Sequence, residues 1–189
     1  DCFGKLKSPS AGAATIGGID FRQLAEEDIR QAVAISGSDT WIFNLSLREN
    51  LQISCPGLSE EAIYQNLKLV GADRDLRRLP DGIDTIMDHE FMHQLPAMPR
   101  RCLSIARALC RPGNVVLLDD AMAGLTKSRA DQVWEGLETL RERKTMVVVT
   151  YRLKHFQRAD RILCLKEGRL VLNTSSDGAQ QAVDILEGS

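Results

Sequence analysis

The chain has 189 residues, enough for one sizeable core and too few for two full domains. Hydrophobic residues make up 43% and charged residues 26%, as in an ordinary globular protein. A net charge of -2 and an aromatic content of 5% argue against a nucleic-acid partner or a membrane-surface protein. No apolar run approaches the length of a bilayer span and no signal peptide is visible, so any link to a membrane is expected through a partner or a further part of the polypeptide. The chain starts at Asp1 rather than Met, which suggests a start inside a longer polypeptide. Cys2, Cys55, Cys102, Cys110 and Cys164 are odd in number, scattered and without a CxxC pair, which predicts buried thiols in a reduced cytosolic protein.

In chain order, residues 15–19 read as a short strand with a Gly-Gly turn, and residues 28–35 as a helix end running into another strand. Ser59 precedes Glu60 and Glu61, an N-cap with an acidic first turn, and Gly71 is placed to stop that helix near Val70. Leu79-Pro80-Asp81-Gly82 is turn chemistry. A helix over 100–109 ends at Pro112-Gly113, followed by the apolar run 115–118, which predicts a parallel strand covered on both faces. Ser128 with Asp131 predicts a capping box, and Ala130, Val133, Trp134, Leu137 and Leu140 keep helical spacing behind it. Residues 145–149 form a second apolar strand, residues 162–172 a closing hairpin around Glu167-Gly168, and residues 175–189 a polar, weakly helical tail. Buried strands alternating with amphipathic helices predict an α/β fold with ligands at the carboxyl ends of the strands.

Five segments follow in fixed order: SLRENL (46–51), LPDGIDT (79–85), LPAMPRRCLSIARAL (95–109), NVVLLDDAMAGL (114–125) and ADRILCLKEGRLV (159–171). Together they resemble the nucleotide-binding domain of ABC transporters, most closely the exporter type, over about residues 3–172. The resemblance implies a partial P-loop NTPase-like ABC domain over 1–174, mainly parallel sheet but lacking its N-terminal strands and phosphate loop, with a helical subdomain at about 46–98 and a C-terminal tail over 175–189. It also implies ATP and magnesium as cofactors, and a second nucleotide-binding domain, identical or different, as a head-to-tail partner. An ABC transmembrane domain would hold the chain at the cytoplasmic face of a membrane.

In that family an Asp-Glu pair ends an apolar strand, the Asp holding magnesium and the Glu polarising the attacking water. Phosphoryl transfer needs both functions. Asp119 matches the metal position, and Asp120 stands in for the Glu with a carboxylate one methylene shorter. The family signature Leu-Ser-Gly-Gly-Gln binds a γ-phosphate held by the opposing subunit, and here it reads Leu95-Pro96-Ala97-Met98-Pro99. The hydroxyl is lost, Pro96 and Pro99 have no amide hydrogen, and Ala97 and Met98 add side chains where glycine lets phosphate approach. As a helix start the segment remains sound.

Ser38 stands where a magnesium-contacting glutamine is expected, Tyr151 where a histidine meets the γ-phosphate, and Thr126 where an aspartate crosses the dimer. The loop GxxxxGK[ST], whose amides and lysine cradle phosphates, does not occur in the sequence; Gly4-Lys5 lacks its upstream glycine. Relative to the family, roughly forty to fifty residues are expected ahead of Asp1. These substitutions imply a catalytically weak or inactive half, with a non-nucleotide-binding interaction module as the alternative.

His89-Glu90-Phe91-Met92-His93 spells HExxH, the zinc-metallopeptidase pattern. His155 is the one remaining histidine, Pro96 and Pro99 leave little room for a long zinc-binding helix, and Glu90 fits a glutamate that the ABC family carries before its signature. A zinc peptidase is therefore the remote alternative.

Overall fold

The structure, a computed structural model, describes residues 9–37, 41–88, 90–91 and 97–187, with the backbone alone at 97–99. The chain divides into two compact units, Asp1–Val148 and Val149–Ser189.

The first unit is built on a parallel sheet in the order β3-β4-β5, comprising β3 (Val33–Ser36), β4 (Val115–Leu118) and β5 (Thr145–Val148). Period-2 alternation sends successive residues to opposite faces. Ala34, Val116 and Leu118 join the main core, whereas Val33 and Val115 meet a smaller cluster with Phe21 and Ile29. That smaller cluster comes from the hairpin of β1 (Thr15–Ile16) and β2 (Ile19–Asp20) and from α1 (Glu26–Ala32). Its cover stops short of the carboxyl ends. Ile35, Leu117 and Val147 sit side by side in register, Leu117 half-buried and the outer two 42% and 40% exposed. The expectation of a central strand covered on both faces thus holds at its amino end only. Both edges of β4 are paired, so the uncovered row runs across a face of the sheet.

Helices α2 (Leu47–Gln52), α3 (Glu60–Leu69) and α4 (Asp73–Leu76) share the main core with the sheet. Ser46 and Glu49 form a reciprocal capping box, and the Ser59 hydroxyl accepts from the Ala62 amide. Gly71, at φ +64°, takes the left-handed position that closes α3. Against these pack α5 (Ala97–Leu109) and α6 (Lys127–Glu138). The cap of α6 is Thr126, whose hydroxyl accepts from Arg129 N at 3.3 Å. This corrects the expected Ser128 box: Ser128 lies inside the first turn, where its side chain no longer precedes the unsatisfied amides. Gly136 packs on the Leu69 carbonyl where no β-carbon fits.

In the second unit α7 (Leu153–Phe156), the antiparallel pair β6 (Ile162–Lys166) and β7 (Arg169–Thr174), and α8 (Ala179–Glu187) enclose Phe156, Ile162, Cys164, Ala179 and Ala182. Glu167 and Gly168 both have positive φ, as a two-residue type I′ turn requires. Among the described residues no helix is long and apolar enough to cross a membrane.

Candidate functional site

The carboxyl end of β4 delivers Asp119 and Asp120. The Asp119 amide donates to the Ser36 carbonyl at 2.9 Å, which extends the β3–β4 ladder by one bond and leaves the carboxylate exposed. Asp120 is half-buried at φ +52°, a left-handed conformation that a short polar side chain tolerates best. The turn it opens is closed by Ala123 N donating to Asp120 O at 3.0 Å. Two adjacent carboxylates at a strand end suit a magnesium ion that arrives on phosphates, since such ions need only one or two protein carboxylates. No cluster of three or more His, Cys, Asp or Glu able to hold a metal occurs among the described residues.

Ser36 also reaches α5, the helix that begins at Ala97. Its hydroxyl lies 3.0 Å from that of Ser104 on α5, with both serines buried. Ala97, Met98 and Pro99 make the first turn of α5, so the segment does start a helix, three residues ahead of the expected Arg100. Leu95, Pro96 and Ser38 lie outside the described residues, as do His89, Met92 and His93 of the HExxH stretch. Among the described residues Arg100 Nε and Arg101 Nη1 are buried without a hydrogen-bond partner, and Arg101 Nε stands 3.8 Å from where a β-carbon on Gly124 would be. Tyr151 belongs to the second unit and is 72% exposed. Beside it Thr150 Oγ1 and His155 Nδ1 are 2.8 Å apart, and Arg152 N donates to the same hydroxyl at 3.3 Å.

Two of the motif segments meet directly. Arg48 in 46–51 pairs with Asp84 in 79–85 at 2.7 Å, and Leu47 N donates to Thr85 O at 3.0 Å. The Arg48 guanidinium holds the Asp84 carboxyl below its ordinary range. Reasoning from sequence singled out neither Ser36, Ser104 nor Arg101. A serine in an apolar stretch or an arginine in a helix carries no local signal of a partner 68 residues away.

No protein-family model matches the chain. Among curated proteins it is 32% identical over 173 residues to the mycobactin import ATP-binding/permease protein IrtB of Mycolicibacterium smegmatis, covering 92% of this chain and 30% of that one. It is 28% identical over 171 residues to the heterocyst differentiation ATP-binding protein HepA of a Nostoc species, covering 90% and 28%. The chain is a homologue of ABC transporter ATP-binding proteins. An ATP-dependent lipid A-core flippase of Syntrophus aciditrophicus is a further ABC relative, 32% identical over 162 residues, covering 86% of this chain and 27% of that protein. The fold agrees: a bacterial Atm1-family ABC exporter solved with ATP bound superposes over 100% of this chain and 32% of its own, with a TM-score of 0.85 and 23% identity. The α/β, P-loop NTPase-like fold expected from the motifs is therefore the one observed. The ABC homologue spans under a third of the length of these curated relatives.

Proposed function

We propose that the chain is the ATP-binding domain of an exporter-type ABC transporter, and that it serves as a catalytically weak or inactive half. The observation that carries the reading is the Asp119-Asp120 pair at the end of the central parallel strand, tied through Ser36 to the helix that begins at the altered signature. Asp119 would hold magnesium on the nucleotide's phosphates, and Asp120 would orient water from a shorter arm. When bound, magnesium supplies the charge neutralisation that phosphoryl transfer needs. Tyr151 and Ser38 would replace a phosphate-contacting histidine and a metal-contacting glutamine. The Leu95–Pro99 segment offers a phosphate fewer amides than glycine would, so the partner's site is weakened as well.

In this reading a second nucleotide-binding domain pairs head to tail with the chain, and membrane-spanning segments place it at the cytoplasmic face. Binding of nucleotide would be transmitted through the segment around Ser38 even where hydrolysis is slow. The test is thermal stabilisation of the complete transporter by magnesium-ATP, with hydrolysis measured on the same sample. Stabilisation with little turnover fits the proposal. No shift at millimolar ATP rejects nucleotide binding and leaves an interaction module, and fast turnover by a homodimer of this chain rejects the weak-half reading.

A further inference from the structure

Ser36, the last residue of β3, is bonded in two directions. Its carbonyl accepts from the Asp119 amide at 2.9 Å, and its hydroxyl lies 3.0 Å from the Ser104 hydroxyl on α5. Ser36, Leu118 and Val148 stand in register at the carboxyl ends of β3, β4 and β5. Leu118 belongs to the main core and Val148 packs against it, so Ser36 is the polar member of an otherwise apolar row. α5 packs against both β3 and β4. Ser104 sits on that helix between Leu103 and Ile105, which are buried in the same core, and the two serines are themselves only 2% and 8% exposed.

A buried hydroxyl pair adds little to stability over an apolar pair of the same shape. What it adds is geometry, because a hydrogen bond holds two oxygens at one separation and direction where methyl groups could slide. Here the bond fixes the end of β3 against α5. The carbonyl of the same serine holds Asp119, so two hydrogen bonds in series connect α5 to the first carboxylate of the site. α5 itself begins at Ala97, two turns before Ser104 and about 10 Å away along the axis.

We propose that Ser104 is a positioning residue for the carboxylate site: through the hydroxyl of Ser36 it sets where the Asp119 carboxylate stands when magnesium arrives on a nucleotide. In this role Ser104 acts through Ser36, without touching metal or nucleotide itself. The inference rests on the nucleotide-binding reading above and adds a residue of α5 to the metal site. Removing a partner that orients a metal ligand costs about 10- to 100-fold in metal affinity, and Ser104 stands one step further out, so the low end is expected.

The experiment titrates magnesium into the complete transporter with a non-hydrolysable ATP analogue present and follows the melting midpoint. Metal–nucleotide complexation in solution is the same for every variant, so a difference between variants reports the protein. Ser104→Ala should raise the half-saturating magnesium concentration by about tenfold, with full stabilisation recovered at saturating metal. Ser36→Ala should do the same, and the double variant should add nothing further, since either change breaks the one bond. Should Ser104→Ala not fold, Ser36→Ala is read against the same expectation. Gly136→Ala, which crowds the Leu69 carbonyl instead, is the control for lost stability and should leave half-saturation unchanged. An unchanged or lowered half-saturation in a folded serine variant, a shift of equal size in Gly136→Ala, or shifts that add in the double variant each overturn the proposal. Absence of magnesium-dependent stabilisation in the unaltered transporter rejects the nucleotide-binding reading and the positioning with it, whereas stabilisation that the serine variants do not influence rejects the positioning alone.

Discussion

The hydroxyls of Ser36 and Ser104 meet at 3.0 Å inside the core, joining the carboxyl end of β3 to α5. Both serines are buried, so removing one hydroxyl takes away the partner of the other. Ser36→Ala or Ser104→Ala alone should each destabilise the fold by about 1–3 kcal/mol, whereas the double variant should cost less than the two added together. Denaturant titration of the four proteins of this cycle measures it. Strict additivity would mean that the pair is not coupled.

Gly136 has no room for a side chain, because a β-carbon there would run into the Leu69 carbonyl at the crossing of α6 and α3. Helix propensity favours Gly136→Ala by about 1 kcal/mol, but overpacking against backbone costs about 1–3 kcal/mol. The second effect should win because a carbonyl cannot rotate away as a side chain does. A thermal melt should show a lower midpoint for Gly136→Ala, and a raised one would contradict the close approach.

Burial pushes the thiol pKa of Cys102 up to about 11 and that of Cys110 to about 12, from 9.0. The folded state therefore keeps protons that the unfolded state releases above pH 9. Stability from this source is complete below pH 9 and is lost as pH rises toward 11 to 12. Urea midpoints measured from pH 8 to 11 should fall, and the fall should flatten in Cys102→Ala and Cys110→Ala. At neutral pH both thiols should resist alkylation until the protein unfolds.

Asp120 carries its carboxylate one methylene short of the glutamate that the family resemblance expects. If reach limits the rate, Asp120→Glu should raise ATP hydrolysis by the complete transporter on the order of 100-fold, since a misplacement of about 1 Å can cost that much. Steady-state phosphate release checks this. An unchanged rate would assign the limit to the Leu95–Pro99 segment or to Tyr151.

Ile35, Leu117 and Val147 form an apolar row that nothing in the first unit covers. The chain expressed alone should therefore self-associate. Light scattering and a dye that reports exposed apolar surface would reveal it, and a cooperative melt of a monomer would count against it.

Much of this protein was legible without coordinates. The helix end running into a strand at 28–35, the apolar run at 115–118, the cap at Ser59, the stop at Gly71 and the turn at Glu167-Gly168 all rest on chemistry within a few residues, which a sequence displays directly. The order of five such segments was enough to point to the family. The Asp119-Asp120 pair was also visible, because a strand end fixes where its next two residues emerge. What only the tertiary structure decided involves partners far apart in the chain. Thr126 rather than Ser128 caps α6, because packing fixes where that helix begins. Ser36 finds Ser104 across 68 residues, Gly136 meets Leu69, and Arg107 stands over Phe43. The sequence set which segments would be helix or strand, since propensity, capping and period act locally. Which side chains met was settled by close packing, which brings together residues that no local pattern links.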